Sequence, residues 1–289
     1  MTSALHGLLV LTSVDPVTGE ERASGELTPV GARAMAFRSA RGESLAGRAP
    51  ELADRLAARI AELDRAQGRP VRARIEIDAR GERVEAVEVA SLAPSALARV
   101  IAERCATARL ERETALAWIT RADAEGMGTF VLAAPPPAAH ARGLAASPGC
   151  ASGRLALPDD VLAAKDGEPR VVVVDDASPE DAAALRAAVA IIATSGGLTA
   201  DAAIAARALR KPCVVSAPLR LGAPGGPARG DWVTVDGGRG EVHLGTLATT
   251  WTPATPHVAE IAGWLRLVPG ESLAAALERR KNSAQGGSR

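Results

Sequence analysis

The chain has 289 residues, 34 Lys plus Arg balanced by 34 Asp plus Glu, and a mean hydropathy of +0.06, enough for two domains with real cores but with no basic field for nucleic acid or an anionic membrane. Aromatic residues make up 2% and tyrosine is absent, so the cores must be Ala, Val, Leu and Ile, and base stacking on aromatic side chains is disfavoured.

In chain order, Leu52, Leu56, Ile60 and Leu63 recur at helical spacing and predict a helix over 50–66. Residues 71–77 (VRARIEI) and 83–89 (RVEAVEV) alternate with period two around the turn DARGE, the pattern of a hairpin with one buried face. Pro94 opens a predicted long helix over 94–119 carrying Leu97, Ile101, Cys105, Leu110, Leu116 and Trp118. Three consecutive prolines in AAPPPAAHAR (133–142) cannot continue a helix and predict an extended, hinge-like linker.

Beyond the prolines the pattern is α/β. VVVV (171–174), AIIAT (190–194) and PCVVSA (212–217) read as buried strands. SPEDAAALRAA (178–188) reads as a helix with a Ser cap, Pro at its first position and acids in its first turn, and a second helix is expected over 200–210. DWVTVDGGRGEVHLG (231–245) predicts a hairpin turned at Gly237 and Gly238. Residues 246–289 show one amphipathic piece, LAAALERR, before KNSAQGGSR, which reads as a disordered tail. The expected plan is a first domain over 1–132, a hinge over 133–142, an α/β domain over 143–246, and a short helix with a tail over 247–289.

Cys105, Cys150 and Cys213 are widely spaced with no CxxC, the usage of lone small residues in a reducing compartment. No basic segment leads into a long apolar run at the start, and no stretch of about 20 apolar residues occurs. The expectation is a cytoplasmic protein with neither membrane nor nucleic acid as partner.

The chemistry concentrates in TSGGLTADAAIAAR (194–207), where a buried strand runs through a glycine turn into a helix. That arrangement makes backbone N–H groups converge on an anion, with Thr194, Gly196, Gly197 and Thr199 lining the turn and Arg207 two turns into the helix. Taken alone, a Gly-Gly pair between strand and helix favours a plain tight turn. Asp201 stands at the helix start, where a carboxylate suits the helix dipole and repels an incoming phosphate. His6, His140, His243 and His257 lie outside this motif and read as surface or linker polarity.

Four stretches in order carry a resemblance: GLAASPGCASG (143–153), SPED (178–181), TSGGLTADAAIAARALRKPCVV (194–215) and GDWVTVDGGRGEV (230–242). Residues 143–245 resemble the phosphohistidine swivelling (mobile) domain of the PEP-utilising enzymes, the pyruvate phosphate dikinases in particular. More faintly, TSVDPVTGEERASGEL (12–27) and RPVRARIEIDARGERVEAVEVASLAP (69–94) resemble that family's ATP-grasp part. The resemblance implies a swivelling β/α/β phosphohistidine-type domain preceded by a smaller, partial ATP-grasp-like α+β domain and a linker helix.

In that family the active segment runs T-R-G-G-M-T-S-H-A-A-V-V-A-R, and the His is phosphorylated. Laid on this chain, the His falls on Asp201, Ala200 replaces the Ser before it, and Ser195 replaces the Arg. The family's metal-binding Glu falls on Glu76, but the Arg of T-R-D-P is Val14 and the Q-T-R ending reads Ser91, Leu92, Ala93. On this resemblance, neither the nucleotide-cradling half nor the PEP-binding barrel is expected within the 289 residues. The resemblance thus implies a catalytically silent relative without a cofactor of its own, acting through a protein partner such as a companion phosphotransferase. Magnesium and ATP would enter only if another chain completed the ATP-grasp part. The alternatives are a phosphotransfer component that accepts phosphate on Asp201 or completes a split enzyme, and a small-anion binder that uses the turn alone.

Overall fold

The computed structural model describes residues 7–29, 34–38, 44–164 and 167–286. The chain divides into two compact units, Met1–Asp123 and Ala124–Arg289.

The first unit contains β1 (Gly7–Thr12), β2 (Ser24–Pro29), β3 (Met35–Ala36), α1 (Leu45–Arg48), α2 (Pro50–Gln67), β4 (Val71–Asp78), β5 (Gly81–Val89), α3 (Pro94–Ala106) and α4 (Arg112–Trp118). A further short helix, α5 (Arg121–Glu125), spans the division between the units. The sheet runs β3-β2-β1-β4-β5 and is antiparallel throughout. In β4, Val71, Ala73, Ile75 and Ile77 face inward, and α2 lays Ala53, Leu56 and Ile60 on the same core. Period two in the strand and period 3.6 in the helix meet there, as the residue spacing predicts.

The single helix expected over 94–119 is two helices. Thr107 N–H and its hydroxyl both donate to Glu103 O, Ala108 turns into the left-handed region (φ 55), and Arg109 reaches Glu21 at 2.5 Å. These local bonds end α3 at Ala106, and the next helix restarts at Arg112.

The second unit contains β6 (Gly128–Leu132), β7 (Ala141–Arg142), β8 (Leu144–Ser147), β9 (Cys150–Ala156), α6 (Pro158–Ala163), β10 (Arg170–Val174), α7 (Ala182–Ala187), β11 (Ala190–Ala193), α8 (Asp201–Leu209), β12 (Cys213–Val215), β13 (Trp232–Asp236), β14 (Glu241–Leu244), β15 (Thr249–Pro253), α9 (Pro256–Leu265) and α10 (Leu273–Gly286). A single 3-10 turn, Pro179–Asp181, leads into α7, and Ser178 and Asp181 form a reciprocal capping box at its start. The main sheet runs β7-β14-β13-β9-β10-β11-β12-β8. Its centre, β9 to β12, is parallel, and antiparallel pairs flank it. One face is a core of Val172, Val174, Ile191, Ala193, Cys213 and Val215 under the alanines and leucines of α7 and α8. This is the mixed α/β architecture that the buried strand runs imply.

Two features differ from the expected plan. The unit division falls ahead of the prolines, and the Pro-rich stretch is tied within the second unit at both ends: Ala133 N–H donates to Ala248 O at 2.9 Å and His140 N–H to Val242 O at 2.8 Å. β6 pairs with β15 from Gly128↔Pro253 to Leu132↔Thr249, closing a long loop around the whole sheet. The stretch 247–289 is also more than a helix and a tail. Thr255 caps α9, whose Val258, Ile261 and Leu265 are buried. Glu271 accepts from Arg279 Nε at 2.8 Å and Nη2 at 3.0 Å, and α10 buries Leu273, Ala276 and Leu277 and stays helical to Gly286. The last three residues of the expected tail, 287–289, lie outside the described residues. No helix among the described residues is long and apolar enough to cross a membrane.

Candidate functional site

The glycine turn leaves the sheet at the carboxyl end of β11, the edge where open α/β sheets present their loops. Pairing with the neighbouring chain runs on past the strand: Thr194 N–H donates to Val174 O and Ser195 N–H to Asp175 O, both at 2.9 Å. The side chains follow the same route. Thr194 Oγ1 donates to Asp175 Oδ1 at 2.6 Å and Ser195 Oγ to Asp175 O at 3.0 Å. Ser216, itself at φ 52, donates its hydroxyl to Gly196 O. The hydroxyls of Thr194, Ser195 and Ser216 are therefore engaged with protein acceptors.

The two glycines are not equivalent. Gly196 has φ +84, and a Cβ there would stand 2.8 Å from Ala200 Cβ. Gly197 has nothing within 4 Å of the same position and opens the turn outward. Gly197 O accepts from Ala200 N–H at 3.0 Å, which starts α8 with Asp201 exposed in its first turn. A carboxylate there stabilises the helix by about 0.3–1 kcal/mol. Asp201 does not stand alone, because Asp175 and Asp176 follow β10 directly and lie against the same turn. Asp176 Oδ1 accepts from Ala177 N–H at 2.9 Å and lies 3.6 Å from the point a side chain at 196 would occupy. Reading from the residues missed this pair, although its signal, DD straight after VVVV, is visible in the sequence.

Of the residues expected to serve an anion, Thr194, Gly196, Gly197 and Thr199 share this loop with Asp201. Arg207 does not join them. It lies six residues along α8, about 9 Å of helix rise, and its Nη1 donates to Ala146 O at 3.1 Å. Lys211, just beyond α8, donates to Arg186 O and Ala188 O and so caps the end of α7; burial pushes its ammonium pKa down. Cys150 and Cys213 are buried, and burial pushes both thiols up to about 12, which leaves them unreactive.

Glu76 belongs to the first unit. It projects from the outer side of β4 and is ion-paired with Arg83, which also holds Glu85 at 3.0 Å. Among the described residues no group of three or more His, Cys, Asp or Glu is arranged to hold a metal ion.

His243 corrects one expectation. It is 1% exposed rather than a surface residue, and its Nε2 lies 3.3 Å from Oε2 of the equally buried Glu241. Arg142 Nη1 reaches Glu241 at 2.6 Å and Arg239 Nε at 3.4 Å. The hairpin pairs Glu241 with Asp236 and His243 with Thr234 on the face opposite the core residue Val242, and all of these are buried, so both faces of this strand are covered. β14 stands four strands from β11, roughly 19 Å away, so His243 is remote from the glycine turn. His140 is exposed, His257 is half-buried, and His6 lies outside the described residues.

With this geometry in place, residues 166–240 match the family described as PEP-utilising enzyme, mobile domain, a stretch that includes the glycine turn and Asp201. The chain is 34% identical over 133 residues to "Pyruvate, phosphate dikinase" of Rhizobium meliloti (strain 1021), covering 42% of this chain and 15% of that protein. It is 31% identical over 164 residues to "Pyruvate, phosphate dikinase 2" of Oryza sativa subsp. japonica, covering 50% and 18%. Against "Pyruvate, phosphate dikinase" of Clostridium symbiosum it is 31% identical over 132 residues, covering 42% and 15%. The matched stretch is thus a small fraction of each relative's length.

Proposed function

We propose that this chain is a mobile-domain protein that carries no phosphoryl group and acts by binding another protein, with a companion phosphotransferase as the expected class of partner. One observation carries the reading: the turn that would present a phosphorylated imidazole presents Asp201, with Asp175 and Asp176 beside the same loop and Arg207 bonded to Ala146 O. A phosphoryl group brought within about 4 Å of one such carboxylate meets roughly 4 kcal/mol of repulsion at a protein surface. Aspartyl phosphate chemistry needs a cation to offset that repulsion, and the lysine nearest in sequence, Lys211, caps α7.

The first unit supports the same reading. Val14, at the position of the family's Arg, is 1% exposed. The surrounding loop is fastened by structure: Asp15 Oδ1 accepts from Val17 N–H at 3.0 Å and Thr18 N–H at 2.9 Å, and Pro16 O accepts from Ala93 N–H at 2.8 Å. These positions serve the fold without offering an anion a guanidinium. In this reading Asp201 supplies a permanent negative charge where the family carries phosphohistidine, so the domain imitates the charged state toward its partner.

The test is incubation of the full chain with labelled PEP, or with ATP and magnesium, with and without a candidate phosphotransferase. The reading expects no label on this chain and a change in the companion's activity. A hydroxylamine-sensitive label that disappears in Asp201→Asn would establish the phosphotransfer alternative instead.

A further inference from the structure

We infer that the groove between α7 and α8 is a self-association surface that receives a second copy of this chain in a two-fold, antiparallel arrangement. This goes beyond the reading above and does not depend on it.

The groove's direction follows from topology. β10, α7, β11, α8 and β12 form two successive crossovers between parallel strands, so both helices run the same way. Lys211 confirms the alignment, because from just past α8 it donates to carbonyls at the end of α7. Asp201 therefore lies at one end of the groove, beside Ser178 and Pro179, and Arg186 lies at the other. Between them is an open space of about 420 Å³ over Ala182, Leu185, Ala205 and Ala208. Asp201 and Arg186 are exposed, and neither forms an ion pair among the described residues. At about 100° per residue, Ile204 stands about 60° from Asp201 and about 40° from Ala208 around α8, on the side away from Ala205, and is 51% exposed.

An apolar floor of small residues with a carboxylate at one end and a guanidinium at the other is its own complement. A two-fold axis through the middle exchanges the ends, so Asp201 of each copy meets Arg186 of the other across the two apolar floors. The helices cross antiparallel, which also opposes their dipoles. An unrelated partner would have to present both charges in reverse order; this chain already does. Nine-residue α8 is only about 13 Å long, so the interface is small, and association is expected to be reversible at roughly micromolar to millimolar concentration.

The experiment is sedimentation velocity of the full chain over that range at low salt. Wild type should dimerise. Asp201→Arg alone and Arg186→Asp alone should each lower the association constant about tenfold by creating two like-charge pairs. An equimolar mixture of the two single variants should associate again, because only the mixed dimer pairs every charge. That rescue also shows that both variants fold. A wild type that stays monomeric throughout would overturn the proposal, even if another protein fills the groove. A dimer indifferent to both reversals, or a mixture no tighter than its components, would overturn it as well. Phosphorylation assays are silent on all these outcomes, so this inference and the proposed function fail separately.

Discussion

At the scale of single residues, two adjacent glycines do different work. Gly196 alone has positive φ and alone lets Ala200 close over the turn. Gly196→Ala is expected to destabilise the protein by about 1–3 kcal/mol, whereas Gly197→Ala should stay within about 0.5 kcal/mol in denaturant unfolding. The sequence shows the pair; which glycine bears the conformational demand depends on Ala200 and Asp176, contacts no local pattern encodes. Asp201 is legible as a residue type at a helix start, but its two carboxylate neighbours become meaningful only once β10 and β11 lie side by side. Those neighbours lead to a prediction about repair. Asp201→His alone should remain unphosphorylated by PEP or by ATP with magnesium, measured by phosphohistidine immunodetection, since it restores an acceptor without removing Asp175 and Asp176 or supplying a cation.

Glu21 gives a pH-dependent case in the first unit. Burial raises its carboxyl pKa, and hydrogen bonds from Arg109 and Arg104 outweigh that and hold it below the ordinary 4.5. A value lower in the folded than in the unfolded state means that the contribution to stability is complete above the unfolded value. It is lost as pH falls through the folded one. Glu21→Gln should therefore lose stability near neutral pH and show a shallower decline than wild type below pH 4.5, followed by urea unfolding across an acid series.

At the scale of elements, legibility tracked how local the determining forces are. The strand at 71–78 and those at 171–174 and 190–193 announce themselves by alternating or uniform burial and form where the spacing puts them. By contrast, 81–89 pairs with 71–78 as expected but buries no alternating face: only Val84 and Val87 are half-buried, and a register shift at Arg74 and Ile75 breaks its period of two. The division of 94–119 into two helices was hidden, because Ala108 is no obvious breaker and the stop comes from Thr107 and from Arg109 turning to Glu21. The pairing of 128–132 with 249–253 was hidden for a different reason. It joins segments more than a hundred residues apart, and the Thr-rich strand has no apolar run of its own. That pairing carries a prediction. A chain ended at residue 246 removes the partner of β6 and the helices that bury Val258, Ile261, Leu273 and Leu277. It should be recovered mainly as aggregate, or lose several degrees or more in thermal midpoint, whereas loss of a disordered tail would leave the midpoint unchanged.

At the scale of the whole molecule, two compact units share one chain, and only part of the second matches the mobile-domain family. The curated relatives align over 15–18% of their own lengths in the three comparisons given, so most of what those dikinases contain lies outside the likeness. In the proposed function the carrier domain bears no load, because Asp201 stands at the position aligned with the phosphorylated histidine. The most direct measurement is mass spectrometry of residues 194–207 from protein isolated from cells, with hydroxylamine treatment as the control for acyl phosphate. Asp201 is expected to be unmodified in every preparation; a phosphoryl group on that carboxylate, removed by hydroxylamine, would contradict the proposed function.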